Sequence, residues 1–92
     1  MLCDYKISSI ARSGGQTNCK VRFYSGEVGT EQEGLKGQMV TRYRRNQLLG
    51  EKTIIIPREV SESDVRKEAD KEMKKVSEDN SIPLLNAKNL AL

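Results

Sequence analysis

The sequence contains no histidine and no tryptophan, one phenylalanine, and only two prolines and two cysteines. Each shortage removes a class of function. Without imidazole there is no Ser–His or Cys–His nucleophile, and nothing to complete a four-ligand zinc site around Cys3 and Cys19. Two cysteines are too few for a disulfide framework. They read as reduced thiols packed in the core of a cytoplasmic protein, with a Cys3–Cys19 disulfide as the alternative. The scarcity of aromatics leaves a thin core for 92 residues, so partner contacts or self-association are expected to supply part of the burial. The longest apolar runs, such as Ile54-Ile55-Ile56, fall far short of the roughly 20 residues of a membrane span. No basic stretch followed by an apolar one opens the chain, so neither secretion nor membrane contact is expected.

Motifs for small-molecule chemistry are missing as well. Gly26, Gly29, Gly34 and Gly37 lack the spacing and the following helix of a phosphate-binding loop. The carboxylates between Glu62 and Asp79 are interleaved with Lys and Arg, which describes a solvated helix face rather than a metal cluster. Glu27, Glu31 and Glu33 read as a loop rim. No catalytic residue, cofactor or metal is expected, and the chain is read as a non-enzymatic module.

What is present points to a small α+β domain over residues 1–79 followed by an apolar tail, 80–92. In the first strand, residues 2–11, Cys3, Tyr5 and Ile7 share one face, and Ile10 falls out of phase, which marks a bulge or a covered edge. Ser13-Gly14-Gly15-Gln16 is a hairpin turn. The second strand spans 17–28, with Cys19, Val21 and Phe23 opposite Lys20, Arg22 and Tyr24. An exposed acidic loop between Gly29 and Gly34 leads to a third strand, 37–45. A connection over 46–52 leads to a fourth, Thr53 to Ile56, which Pro57 ends. The expected architecture is a four-stranded antiparallel meander, or a partly closed barrel, with one C-terminal helix packed on it.

That helix is the clearest local signal, spanning 61–78. Ser61 and Asp64 form an approximate capping box, and Val60 and Val65 a hydrophobic staple. Glu62–Arg66 and Asp70–Lys74 are favourable pairs four residues apart, and Lys74-Lys75 fall in the last turn. A narrow stripe of Val65, Ala69, Met73 and Val76 covers one sheet face and should meet Val21, Phe23, Ile54 and Ile56. Pro83 blocks continuation of the helix. Leu84, Leu85, Leu90 and Leu92 make the tail apolar enough to fold back, to dock on a partner, or to hang loose.

Residues 1–50 hold eight Lys/Arg against four Asp/Glu, and residues 51–92 eight against nine, so the positive excess lies in the front half. If strands two and three pair in a suitable register, Lys20, Arg22, Tyr24, Arg42, Arg44 and Arg45 form a basic patch around one tyrosine. Such a patch suits an acidic protein or nucleic acid, through forked guanidinium contacts and base stacking. Leu48, Leu49, Leu84, Leu85, Leu90 and Leu92 are the candidate protein interface. A strand meander, capped C-terminal helix and apolar tail on so short a chain is similar in type to small phage and mobile-element accessory proteins. The expected function is structural or protein-binding, with oligomerisation, and nucleic-acid binding is the alternative.

Overall fold

The computed structural model describes the backbone of residues 1–33 and 37–85, and within it all side chains except those of 30–33 and 38–41. Among these residues three antiparallel strands, β1 (Leu2–Ser13), β2 (Gln16–Glu33) and β3 (Gln38–Ile56), precede one helix, α1 (Glu62–Asn80). The sheet is open, in the order β1-β2-β3.

Among the described residues the expected fourth strand and partial barrel are not formed. Residues 46–52, read as a connection, lie inside a single 19-residue β3. Phe23 faces Gly50 but Tyr24 faces Leu48, and Ser25 faces Gln47 but Gly26 faces Arg45. Leu49 and Asn46 are therefore the extra residues of two bulges. Each one reverses the side-chain alternation, so the pair restores it, and what looks like a break in pattern is a continuous strand. β2 also runs past its expected end at residue 28. Gly29 to Glu33, expected as loop, belong to this strand.

β1 and β2 meet as expected. The two-residue turn places Gly14 at φ 58 and Gly15 at φ 74, the positive pair that a tight hairpin of this hand requires. A register shift between Ile7 and Ser9 absorbs Ser8 and returns Ile10 to the face of Tyr5 and Ile7.

One sheet face is covered by α1. Cys19, Val21, Phe23, Ile54 and Ile56 pack against Val60, Val65 and Ala69, with Met73 and Val76 at the margin. Burial of a side chain such as Val65 or Phe23 contributes about 1.5–3 kcal/mol. Ser61 caps the helix, its Oγ accepting the Asp64 N–H at 3.4 Å, and Val60 and Val65 are both buried as a staple requires. The approach to the helix is fixed by Thr17, which is fully buried. Its Oγ1 donates to the Arg58 carbonyl (2.8 Å) and accepts the Val60 N–H (3.1 Å). Arg12 Nε donates to the Val60 carbonyl at 2.6 Å.

The helix runs two residues further than expected, so Lys74-Lys75 are not in the last turn, which holds no basic residue. The end is closed instead by Ser81 in the left-handed region, its N–H donating to the Glu78 carbonyl, and by Asn80 Nδ2 on the Val76 carbonyl. The Glu62–Arg66 pair is formed at 2.9 Å. Being exposed, it contributes at most about 1 kcal/mol.

The tail folds back as far as it is described. Cys3 donates its N–H to the Pro83 carbonyl (2.7 Å) and accepts the Leu85 N–H (2.8 Å), so Leu84 lies parallel to the start of β1. The two cysteines are free and buried. Cys3 faces Ser25 and Cys19 faces Ile10, about 20 Å apart along the hairpin at the strand rise. That separation removes the disulfide alternative. Burial raises the thiol pKa of both, and the neighbouring Asp4 raises that of Cys3 further.

Candidate interaction surface

The face of the sheet turned away from α1 carries a row of polar residues on β1, β2 and β3, among them Asp4, Lys20, Arg22, Glu51 and Arg45. Lys20, Arg22 and Tyr24 lie along β2 as expected. Arg22 Nε meets Glu51 Oε2 at 2.8 Å across β3, and Lys20 Nζ lies 3.9 Å from Glu51 Oε1. The hydrogen bond from Arg22 holds the Glu51 carboxyl below its ordinary range. Arg45 sits over the Tyr24 ring, its guanidinium carbon 4.8 Å from the centroid.

Arg45 is fastened by Asp4. Its Nε and Nη2 both meet Asp4 Oδ2, at 2.8 and 2.7 Å, while the Tyr43 hydroxyl donates to Asp4 Oδ1 at 2.8 Å. The Asp4 side chain is 12% exposed, so its carboxylate is held by protein donors rather than by water. Burial first, then the hydrogen bond to Asp4, raise the Tyr43 pKa above that of an ordinary tyrosine. Neither Asp4 nor Tyr43 stands out by local pattern. One signal was there to be used: Asp4 is the only acidic residue before Glu27.

The expected basic patch is divided. Arg42 and Arg44 face Gly29 and Glu27, and they alternate with Tyr43 and Arg45 along the strand. They therefore leave the sheet on the opposite face. The structure brings Lys20, Arg22, Tyr24 and Arg45 together and separates Arg42 and Arg44 from them. The leucines are dispersed as well. Leu48 is 52% exposed on the open face, whereas Leu49, lifted by its bulge, packs against the core. Leu84 and Leu85 are half-buried beside β1, and Leu90 and Leu92 lie outside the described residues.

The hairpin of β2 and β3 continues well beyond the body. Pairing of β1 ends at Leu2 opposite Gly26, yet seven further β2–β3 pairs follow, from Glu27–Arg44 to Glu33–Gln38. At the strand rise they form an arm of about 23 Å, in a molecule measuring 54 × 30 × 20 Å. Gly26 marks its base, where the Tyr43 ring crosses toward β1. A β-carbon at Gly26 would stand 2.6 Å from that ring and collide with the Arg44 carbonyl.

Among the described residues, no helix is long and apolar enough to cross a membrane. The architecture is α+β: an antiparallel three-stranded open sheet with one C-terminal helix. Compared with protein-family models, curated proteins and solved structures, the chain matches none.

Proposed function

We propose that the protein is a non-enzymatic interaction module that associates with further copies of itself through the β2–β3 arm. The observation that carries this reading is the arm's lack of support. A two-stranded ribbon is marginal in water without a third strand or a packed helix, and among the described residues β1 pairs with β2 no further than Gly26, with the Tyr43–Asp4 contact bracing the arm's base. Its composition favours a second copy as the partner. The β2 half carries Glu27, Glu31 and Glu33, and the β3 half carries Arg42 and Arg44, with Arg45 at the base. Two such ribbons can exchange these charges strand for strand, the basic strand of one meeting the acidic strand of the other in place of contacts within the ribbon such as Glu27 opposite Arg44. The nucleic-acid reading is less favoured: Arg22 and Lys20 are engaged by Glu51 and Arg45 by Asp4, so a phosphate would have to displace carboxylates.

Sedimentation velocity of the full chain tests the proposal, beside a variant in which residues 30–41 are replaced by Asn-Gly, a turn that joins the hydrogen-bonded pair Gly29 and Arg42. The full chain should self-associate with rising concentration and dissociate with salt, and the variant should remain a folded monomer. A full chain that stays monomeric at all concentrations overturns the reading. Fluorescence anisotropy with labelled DNA and RNA completes the experiment, since tight, steeply salt-dependent binding would put the nucleic-acid reading first.

A further inference from the structure

Cys3 is fully buried although it belongs to the edge strand β1. Its N–H and C=O turn away from β2, to the Pro83 carbonyl and the Leu85 N–H. Its pairing with Ser25 is therefore of the narrow kind, in which opposed side chains come closest and leave the sheet on the same face. Ser25 Oγ is buried and has no hydrogen-bond partner among the described residues, the adjacent Cys3 thiol included. A hydroxyl with its donor unused thus stands beside the sulfur. An oxygen atom added to Sγ would bring an acceptor to it.

The other side of Cys3 is closed by a strap, residues 82–85, which follows Ser81 at φ 55. Ile82 stays with the helix, its N–H on the Ser77 carbonyl and its own carbonyl accepting the Ser77 hydroxyl. Beyond it, main-chain bonds to Cys3 on either side of Leu84 hold the strap to β1. Parting them breaks no pairing among the three strands, so this opening costs a fraction of the free energy of global unfolding. Cys19 is enclosed differently. It is fully buried on the central strand, between Ile10 and Ile54.

We infer that Cys3 is a modification site: a thiol that the strap admits to hydroperoxides, and whose sulfenic acid Ser25 then holds. While the strap is closed, burial and then Asp4 keep the thiol protonated and unreactive. When it opens, water relieves the burial and takes the proton. The thiolate attacks an oxygen of the hydroperoxide, and the S–O bond forms as the O–O bond breaks. The departing alkoxide or hydroxide takes a proton from water. Sulfur loses two electrons and the peroxide gains them. Reclosure sets the new oxygen beside Ser25 Oγ, which donates to it, and shuts out the second peroxide or thiol that would carry the chemistry further.

The test treats the full chain with hydrogen peroxide and the sulfenic-acid trap dimedone. Mass spectrometry reads each cysteine on its own tryptic peptide, since Lys6 and Arg12 lie between them. Cys3 should be labelled in the folded protein and Cys19 should not. Leu85→Pro deletes the N–H that bonds the Cys3 carbonyl. It should speed labelling of Cys3 about tenfold or more, with Cys19 and the far-UV circular dichroism unchanged. In Ser25→Ala, alkylation of Cys3 by iodoacetamide, which needs access but no hydroxyl, should keep its rate. The lifetime of the sulfenic acid should fall about fivefold or more, as loss of one hydrogen bond implies. Labelling of Cys3 that is no faster than that of Cys19, or is unaffected by Leu85→Pro, overturns the inference. So does a sulfenic acid that persists equally without the Ser25 hydroxyl. Alkylation of Cys3 with no dimedone labelling also overturns it, by leaving an accessible thiol that forms no sulfenic acid.

Discussion

The Tyr43 hydroxyl donates to Asp4 Oδ1 at 2.8 Å, joining the start of β1 to the arm at the point where β1 stops pairing with β2. This contact and the Arg45 fork on Oδ2 fasten an otherwise two-stranded ribbon to the third strand.

Tyr43→Phe should therefore lower stability by about 1–2 kcal/mol at neutral pH, the lower part of the range for a hydrogen bond to a charged group because the site is partly exposed. The effect should depend on pH in a defined direction. The folded-state pKa of Tyr43 is raised above the ordinary value of 10.0. The hydrogen bond's contribution is thus fully present below about pH 10 and is lost as pH rises above it. Denaturant melts from pH 7 to 11.5 should show the wild type converging on the variant only at the alkaline end. Tyr5 and Cys19 titrate in both proteins and cancel in the difference, and a Cys3→Ala background removes the thiol whose charge Tyr43 feels.

Gly26→Ala should damage the arm more than the body. The added carbon meets the Arg44 backbone carbonyl, which cannot turn aside as a side chain can, and the Tyr43 ring. A cost of about 3 kcal/mol or more is expected, at the upper end for overpacking. Amide exchange should locate it: Val28 and Tyr43 should lose protection while Val21 keeps most of its own.

Two small buried hydroxyls should respond with opposite sign. Thr17 Oγ1 satisfies the Arg58 carbonyl and the Val60 N–H where the chain turns into α1. Thr17→Val keeps the shape but leaves the Val60 N–H buried without that acceptor, at a cost of about 1–3 kcal/mol.

Ser25 Oγ is also buried, with no hydrogen-bond partner among the described residues. Ser25→Ala removes an unsatisfied group and should be neutral or stabilise by up to about 1 kcal/mol. Thermal melts of the two single variants against wild type decide both predictions.

How much of this was legible in the sequence follows the range of the interactions. The helix was, because Ser61, Val60, Val65 and the stripe through Ala69 and Met73 lie within a few turns of one another. The β1–β2 hairpin was too, since Gly14-Gly15 specify the turn and the alternation on either side specifies the faces. The unity of β3 was not: Asn46 and Leu49 each insert one residue, and a doubled insertion looks like a loop until the partner strand is known. The same register decides the candidate site. It brings Arg45 to Tyr24 and sends Arg42 and Arg44 to the other face, and nothing local to residues 42–45 reveals which. The Asp4–Tyr43 contact spans 39 residues and depends on both hairpins at once. For the tail, composition left three fates open, and the hydrogen bonds of Cys3 select folding back as far as Leu85.

The Cys3–Leu84 bridge also bears on the order in which the molecule assembles. It joins points near the two ends of the chain, whereas the Gly14-Gly15 turn joins neighbours. Closing so long a loop from the unfolded chain costs about 3 kcal/mol more in lost freedom than closing a tight turn, at roughly 0.6 kcal/mol per doubling of length. Once both hairpins and the helix stand, the gap to be closed shrinks to the few residues between Asn80 and Leu84. The contact should then form last and open first. The edge of β1 can thus come free while every other strand pairing and the helix stay in place.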